Sequence, residues 1–175
     1  FKETAPITDY DVDTSGDTSG SVGNPDLKPY EADNFDVSLE YYGDDMTYFA
    51  LGYFHKSIAN AIYPTYQRNG VFNGIEFNDG VETWINADDS TIDGVELNAQ
   101  YGWDNGLYVA ANFTWTDSES KFQFEDDAVF TTPFRKLADK AANVNFGYNK
   151  GAWDVRVAGN YRSDYLDWLA DEDGD

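Results

Sequence analysis

Between Asn34 and Arg162 apolar and polar positions alternate with a period of two in six separate stretches. That is the pattern of strands whose two faces meet different surroundings. The stretches are Asn34 to Gly43, Thr47 to Lys56, Thr91 to Tyr101, Leu107 to Thr116, Ala141 to Tyr148 and Ala152 to Arg162. Asp44-Asp45 separates the first pair, Gly102-Trp103-Asp104-Asn105-Gly106 the second and Asn149-Lys150-Gly151 the third. Such residues tolerate the positive φ of tight turns, so each pair reads as a hairpin. The other connections are long, roughly 57–90 and 117–140, with 10–32 before the first strand and 163 onward after the last. In an antiparallel up-and-down meander successive connections lie at opposite ends of the strands. This alternation therefore puts the turns at Asp44, Asp104 and Lys150 at one end, and the loops centred near Asn73 and Asp127 at the other. Outer-membrane barrels sort their short periplasmic turns and long extracellular loops in this way.

The two faces differ in charge. One carries Phe35, Val37, Leu39 and Tyr41 in the first stretch, Val95 and Leu97 in the third, Val109 in the fourth, Val144 in the fifth and Val157 in the sixth; it has no charged residue. The opposite face carries Asp36, Glu40, Glu96, Asp154, Arg156 and Arg162. On the apolar face Tyr41, Tyr101, Tyr148 and Trp153 flank the short turns, while Phe35, Tyr53, Trp115 and Tyr161 lie toward the long loops. Two aromatic rows around an aliphatic band fit the interfacial girdles of a membrane barrel, with the charged face turned to a lumen. Alternation alone also fits a half-solvated soluble sheet.

Composition narrows the choice. Thirty-three Asp and Glu against 11 Lys and Arg give a formal charge of -22, which repels nucleic acid and anionic membrane surfaces. Thirteen Tyr, 12 Phe and 5 Trp are too many rings for a disordered acidic chain. The absence of Cys excludes disulfides, thiol catalysis and zinc-thiolate sites. No run reaches the roughly 18 apolar residues of a membrane helix, and no signal peptide opens the sequence. A spanning strand needs only about 9 to 11 residues, half of them polar, so a mean hydropathy of -0.61 is compatible with a barrel.

Four motifs, in order, carry a family resemblance. Gly23-Asn24-Pro25-Asp26-Leu27-Lys28-Pro29-Tyr30-Glu31, followed by Asn34-Phe35-Asp36-Val37-Ser38-Leu39-Glu40-Tyr41-Tyr42, resembles a signature in the barrels of TonB-dependent receptors. Phe49-Ala50-Leu51-Gly52-Tyr53-Phe54-His55-Lys56-Ser57-Ile58 is similar to the strand that follows it there. Ile92-Asp93-Gly94-Val95-Glu96-Leu97 resembles a later strand start and Asn160-Tyr161-Arg162-Ser163-Asp164-Tyr165 a strand end. The resemblance implies an all-β fold: an antiparallel meander of about six strands from a 22-stranded transmembrane β-barrel. It also implies a location in the outer membrane of a Gram-negative bacterium and active import of a scarce nutrient, a carbohydrate, ferric siderophore or corrinoid. The partners it implies are an N-terminal plug domain of the parent chain, the TonB complex acting through that plug, a small-molecule substrate and outer-membrane lipid. No cofactor is implied. Residues 1–33 are then an extracellular loop and lead-in, 34–165 barrel strands with their loops, and 166–175 the start of a further loop. Pro25 and Pro29 fix two φ angles and withhold two donors, so the signature is expected to be extended and to precede strand pairing.

Catalytic chemistry finds little support. His55 is the lone histidine, and with 33 carboxylates any acid-base pairing is unspecific. Asp11, Asp13 and Ser15, with Gly16, resemble half of an EF-hand loop, but Val22 stands where the bidentate Glu belongs. These residues are weak calcium candidates, and no metal site is expected. The acidic run Asp171-Glu172-Asp173-Gly174-Asp175 reads as a solvated segment. In the loop over 57–90, Tyr63, Tyr66, Arg68 and Trp84 stand among amide and carboxylate residues. Such rings suit stacking on sugars or flat chelates, and equally suit packing of the loop against itself. They are the ligand-binding candidates. The alternative to a transporter segment is a soluble β-rich sugar-binding module using the same rings.

Overall fold

The structure is a computed structural model that describes residues 3–4, 8–44, 46–123 and 129–167; the acidic run 171–175 and Asp127 lie outside them. In chain order the strands are β1 (Thr8–Val12), β2 (Thr18–Val22), β3 (Glu31–Tyr42), β4 (Tyr48–Ala59), β5 (Ile62–Gln67), β6 (Gly70–Phe72) and β7 (Ile75–Phe77). They continue with β8 (Val81–Asn86), β9 (Asp89–Gly102), β10 (Leu107–Gln123), β11 (Val129–Thr132), β12 (Lys140–Lys150) and β13 (Trp153–Arg162). All six expected strands form. They pair as one antiparallel path, β13-β12-β10-β9-β4-β3, with β11 added to the far end of β10.

Register confirms the assignment of faces, because it aligns the apolar positions across strands. Leu39, Leu51, Leu97, Phe113, Ala142 and Tyr161 form one continuous row. The turns follow their chemistry: Gly106 and Gly151 have φ of +94° and +63°. A Cβ at Gly106 would lie 2.6 Å from the Asn149 carbonyl oxygen of the neighbouring hairpin, so only glycine lets the two turns touch.

Among the described residues no second layer covers the outward face, and its side chains are exposed or half-buried. Leu39 is 70% exposed, Val157 66% and Trp153 70%. The core lies elsewhere, on the inner face near the long-loop end. There Ile58, Ile92 and Phe122 from the ends of β4, β9 and β10 meet Ala61, Tyr63 and Ala87 of the long connection.

The strands also run further than the sequence indicates. β10 continues past Thr116 to Gln123, paired with β9 as far as Asp89. Beyond Trp115 the alternation persists with its sense inverted. The outward positions become Asp117, Glu119 and Lys121, while the inward Ser120 and Phe122 are buried. Inversion also occurs after Tyr53 on β4 (His55 out, Ile58 in) and before Val95 on β9 (Asp93 out, Ile92 in). The outer surface changes from apolar to charged at this level, and the inner surface becomes a protein core. From Leu107 to Trp115 the apolar stretch covers about 26 Å along the strand, or about 20 Å along the normal at a tilt of ~40°. That is close to the apolar band of about 25 Å in such barrels.

The connections that the sequence marks only as long are partly built into strands. β1, β2, β8 and β5 form a four-stranded sheet in that order, with β2 and β8 parallel and the rest antiparallel, and β6 and β7 form a hairpin. Val22, Phe77 and Val81 are its own small core. Pro64 is tolerated inside β5 because β5 is an edge strand of this sheet. The Asn24 signature is not uniformly extended as expected. Asn24 to Leu27 is a turn, with the Asn24 side chain accepting from Asp26 N at 2.9 Å. Asparagine can fold its carbonyl back on the following backbone, which outweighs the extended preference imposed by the prolines. Barrel pairing begins at the last residue of the signature, Glu31, but β1 and β2 already pair upstream of it.

Candidate functional site at the long-loop end

The inner core at the strand ends supports a concave site. Tyr63 is 2% exposed; its hydroxyl meets Ser120 Oγ at 2.6 Å, and its ring meets Phe122 edge-on with centroids 5.1 Å apart. Ser90 Oγ donates to the same Ser120 Oγ at 2.9 Å. The three hydroxyls of Tyr63, Ser120 and Ser90 thus satisfy one another, as burial requires. Asn86 ties the loop sheet to the barrel. It accepts from Lys28 N at 2.9 Å and donates to the carbonyls of Lys28 and Asn60 at 3.0 and 2.7 Å. Asn24 Nδ2 donates to the Trp84 carbonyl at 2.9 Å, so the prolyl signature is strapped along the loop sheet.

Above this base opens a cavity of about 630 Å³. The loop sheet lines it through Pro64, which pairs with Trp84, and through Glu82; Tyr66, paired with Glu82, lies outside the lining. The lining also includes Tyr30 at the end of the signature and Phe134, Arg135 and Lys136 between β11 and β12. Glu3 closes one side, its carbonyl accepting from Asn24 N at 2.8 Å. Segments distant in sequence thus converge on one volume, within the range of about 300–1,000 Å³ typical of small-molecule sites.

The four loop candidates take different places. Tyr63 and Trp84, at 2% and 8% exposure, contribute to the packed base and wall; so little accessible ring offers a ligand edges rather than stacking faces. Tyr66 is 48% exposed and bonds the Asp79 carbonyl at 3.2 Å. Its ring covers Gly80, where an added Cβ would lie 1.6 Å from the tyrosine oxygen. Arg68 is exposed, and its carbonyl accepts from Gly80 N at 3.0 Å. Tyr30, Glu82, Arg135 and Lys136 are lining residues that sequence reasoning missed. One signal was available for two of them: Arg135-Lys136 is the only adjacent cationic pair in this acidic sequence.

The weak calcium candidates adopt another geometry. Residues 13–17 form the β1–β2 hairpin turn, and Asp13 Oδ1 accepts from Ser15 N and Asp17 N at 2.7 and 2.9 Å. Asp11 accepts from Val12 N at 2.9 Å. These carboxylates cap backbone amides in place of the convergent cage of an EF-hand. Among the described residues no group of three or more acidic or histidine side chains is placed to hold a metal.

The lumen-facing candidates share one face without forming one cluster. Glu40 accepts from the Tyr42 hydroxyl, and Asp36 and Glu96 flank a shallow groove beside Gly52. Asp154 accepts from Asn149 Nδ2 at 3.1 Å. Arg156 Nε donates to Tyr108 Oη at 3.0 Å, the tyrosine lying across Gly147 to reach it. Arg162 sits over the Tyr165 ring at 4.7 Å. On the outward face His55 Nδ1 and Tyr53 Oη meet the same Asp93 oxygen at 2.9 and 2.6 Å, at the level where the apolar band ends. Tyrosine is suited to that position, with its ring toward lipid and its hydroxyl toward water.

Comparison with known proteins agrees with this geometry. The fold is similar to a crystal structure of a mutant ferric enterobactin receptor (PfeA) from Pseudomonas aeruginosa, with a TM-score of 0.60 and 17% identity over 99% of this chain and 26% of that one. It is similar also to the siderophore receptor PirA from the same organism, with a TM-score of 0.53 and 17% identity over 93% of this chain and 33% of that one. The chain thus spans about a quarter to a third of the length of these receptors, and no curated protein matches it. The family described as TonB dependent receptor-like, beta-barrel matches residues 3–174, so the chain belongs to the TonB-dependent receptor β-barrels of Gram-negative outer membranes.

Proposed function

We propose that this chain is a wall segment of an outer-membrane transporter that captures a scarce small-molecule nutrient at its long-loop end and imports it actively. The observation that carries the reading is the inversion of polarity along β4, β9 and β10. Outward side chains are apolar for one membrane thickness and then charged, while the inner face passes from a polar wall to a packed base beneath a cavity. A barrel that only stabilised a membrane would need no such base. Carbohydrate, ferric siderophore and corrinoid are the nutrient classes in view, and the two structural neighbours carry siderophore-receptor names. In this reading Asp36, Glu40, Glu96, Asp154, Arg156 and Arg162 face the plug domain of the parent chain or lumen water, and TonB acts through the plug.

Uptake by the full-length receptor tests it. Tyr66→Ala and Arg68→Ala, at the extracellular end, are expected to lower binding and uptake while leaving barrel assembly intact. Asp104→Ala in a short turn is expected to leave both unchanged, and deletion of TonB to abolish uptake. Normal uptake without TonB, or equal sensitivity at both ends, would refute the reading.

A further inference from the structure

Asn73-Gly74 is the two-residue turn of the β6–β7 hairpin, with φ of +51° and +81° and Phe72 opposite Ile75. We infer that Asn73 is a self-modification site: its side-chain amide is lost to attack by the Gly74 backbone nitrogen, and the hairpin loosens as a result.

The attack forms a bond from Gly74 N to Asn73 Cγ and breaks the bond from Cγ to Nδ2. The proton of the Gly74 amide leaves with Nδ2 as ammonia, and a cyclic imide remains. Water then opens the imide. Cleavage at the side-chain carbonyl gives aspartate; cleavage at the main-chain carbonyl gives isoaspartate, whose backbone runs through the former side chain and is one methylene longer. Water is the only co-reactant, and nothing is oxidised or reduced. A side chain on the following residue obstructs the attack, and glycine has none.

The chain has three Asn-Gly pairs, and the fold separates them. Asn105 Oδ1 accepts from Leu107 N at 3.0 Å and Gly106 N donates to the Trp103 carbonyl at 2.9 Å, so both reacting groups are held in a turn between the long paired strands β9 and β10. Gly70 is paired with Phe77 inside β6, and an added Cβ there would lie 2.5 Å from the Phe72 ring. At Gly74 an added Cβ would meet nothing within 4 Å, and Asn73 and Gly74 are both exposed. The attack requires the turn to open. β6 and β7 are three residues each and pair only with one another, a unit too small to be stable alone, so opening it costs far less than unfolding the barrel.

The two products differ in consequence. Phe72 and Ile75 pack against Val22, Phe77 and Val81. An extra backbone methylene breaks the register that a two-residue turn imposes on them. Aspartate keeps the backbone and adds one exposed charge, a small change.

The test holds the full-length receptor in detergent in mildly alkaline buffer and follows the three Asn-Gly pairs by peptide mass spectrometry, with methylation by an isoaspartate-specific methyltransferase to count isoaspartate. Asn73 is expected to convert severalfold faster than Asn69 and Asn105 in the folded receptor, and the three to converge in guanidinium. Aged receptor is expected to exchange β6 and β7 amides faster than fresh receptor. Fresh Asn73→Asp receptor, and Asn73→Gln receptor before and after ageing, are expected to exchange like fresh wild type. Conversion at Asn73 no faster than at Asn105 in the folded receptor, or equal loosening of wild type and Asn73→Gln on ageing, would overturn the inference.

Discussion

Replacing Val157 by arginine tests what the apolar face touches. Val157 is 66% exposed on β13 and pairs with Phe146 of β12. It lies four residues from Trp153, the ring at the short-turn end of the same face. That is about 13 Å along the strand and about 10 Å along the normal at a tilt of ~40°, near the middle of an apolar band of about 25 Å. Arginine there should cost about 2 to 4 kcal/mol, or roughly 30- to 900-fold in the folding equilibrium. Val71 supplies the control. It is 70% exposed on β6, in the loop region beyond the polarity inversion, so Val71→Arg should change stability by less than about 0.5 kcal/mol. Two valines of equal exposure should thus differ severalfold in cost because their solvents differ. The assay is reversible folding of the full-length receptor into phospholipid vesicles, followed by denaturant titration and gel heat-modifiability. Equal small effects at both positions would show that the outward face meets water and that the membrane assignment is wrong.

The remaining predictions probe the base, the strap and the wall. Tyr63→Phe removes the hydroxyl that meets Ser120 at 2.6 Å and should destabilise the loop cap by about 1 kcal/mol, read as faster amide exchange in β5 with β12 and β13 unchanged. Asn86→Ala removes three bonds that hold the loop sheet to Lys28 and Asn60; limited proteolysis should then cut within 57–90 sooner, and an unchanged cleavage rate would show that the strap is dispensable. Gly147→Ala places a Cβ 2.1 Å from the Tyr108 ring, which should cost about 1 to 3 kcal/mol by overpacking; a double variant with Tyr108→Ala should recover most of it. A surface label on intact cells should reach a cysteine introduced at Asn73 and miss one at Lys150, and the opposite result would invert the topology.

The sequence by itself determined the six barrel strands, their pairing into hairpins and the identity of the outward face. These are local consequences of period-two alternation and turn chemistry: Leu39 points outward because Glu40 points inward, and Gly106 and Gly151 allow turns that other residues strain. The family resemblance was legible for the same reason, since its motifs lie within single strands or lead directly into one. What the tertiary structure decided is where the core lies. β5 carries Tyr63 and Pro64 buried side by side, so both of its faces are covered and no alternation marks it, while β6 and β7 are three residues each, too short for a period to register. β2 and β8 pair in parallel across some sixty positions, Gly20 opposite Val81, a contact that no local pattern encodes. For the same reason Tyr63 could be either ligand platform or packing until its hydroxyl was found against Ser120. The cavity depends on Tyr30, Glu82, Arg135 and Lys136 arriving together from separate loops. Alternation records how each residue is oriented on its own strand, whereas convergence depends on how distant strands stack, and only the folded chain fixes that.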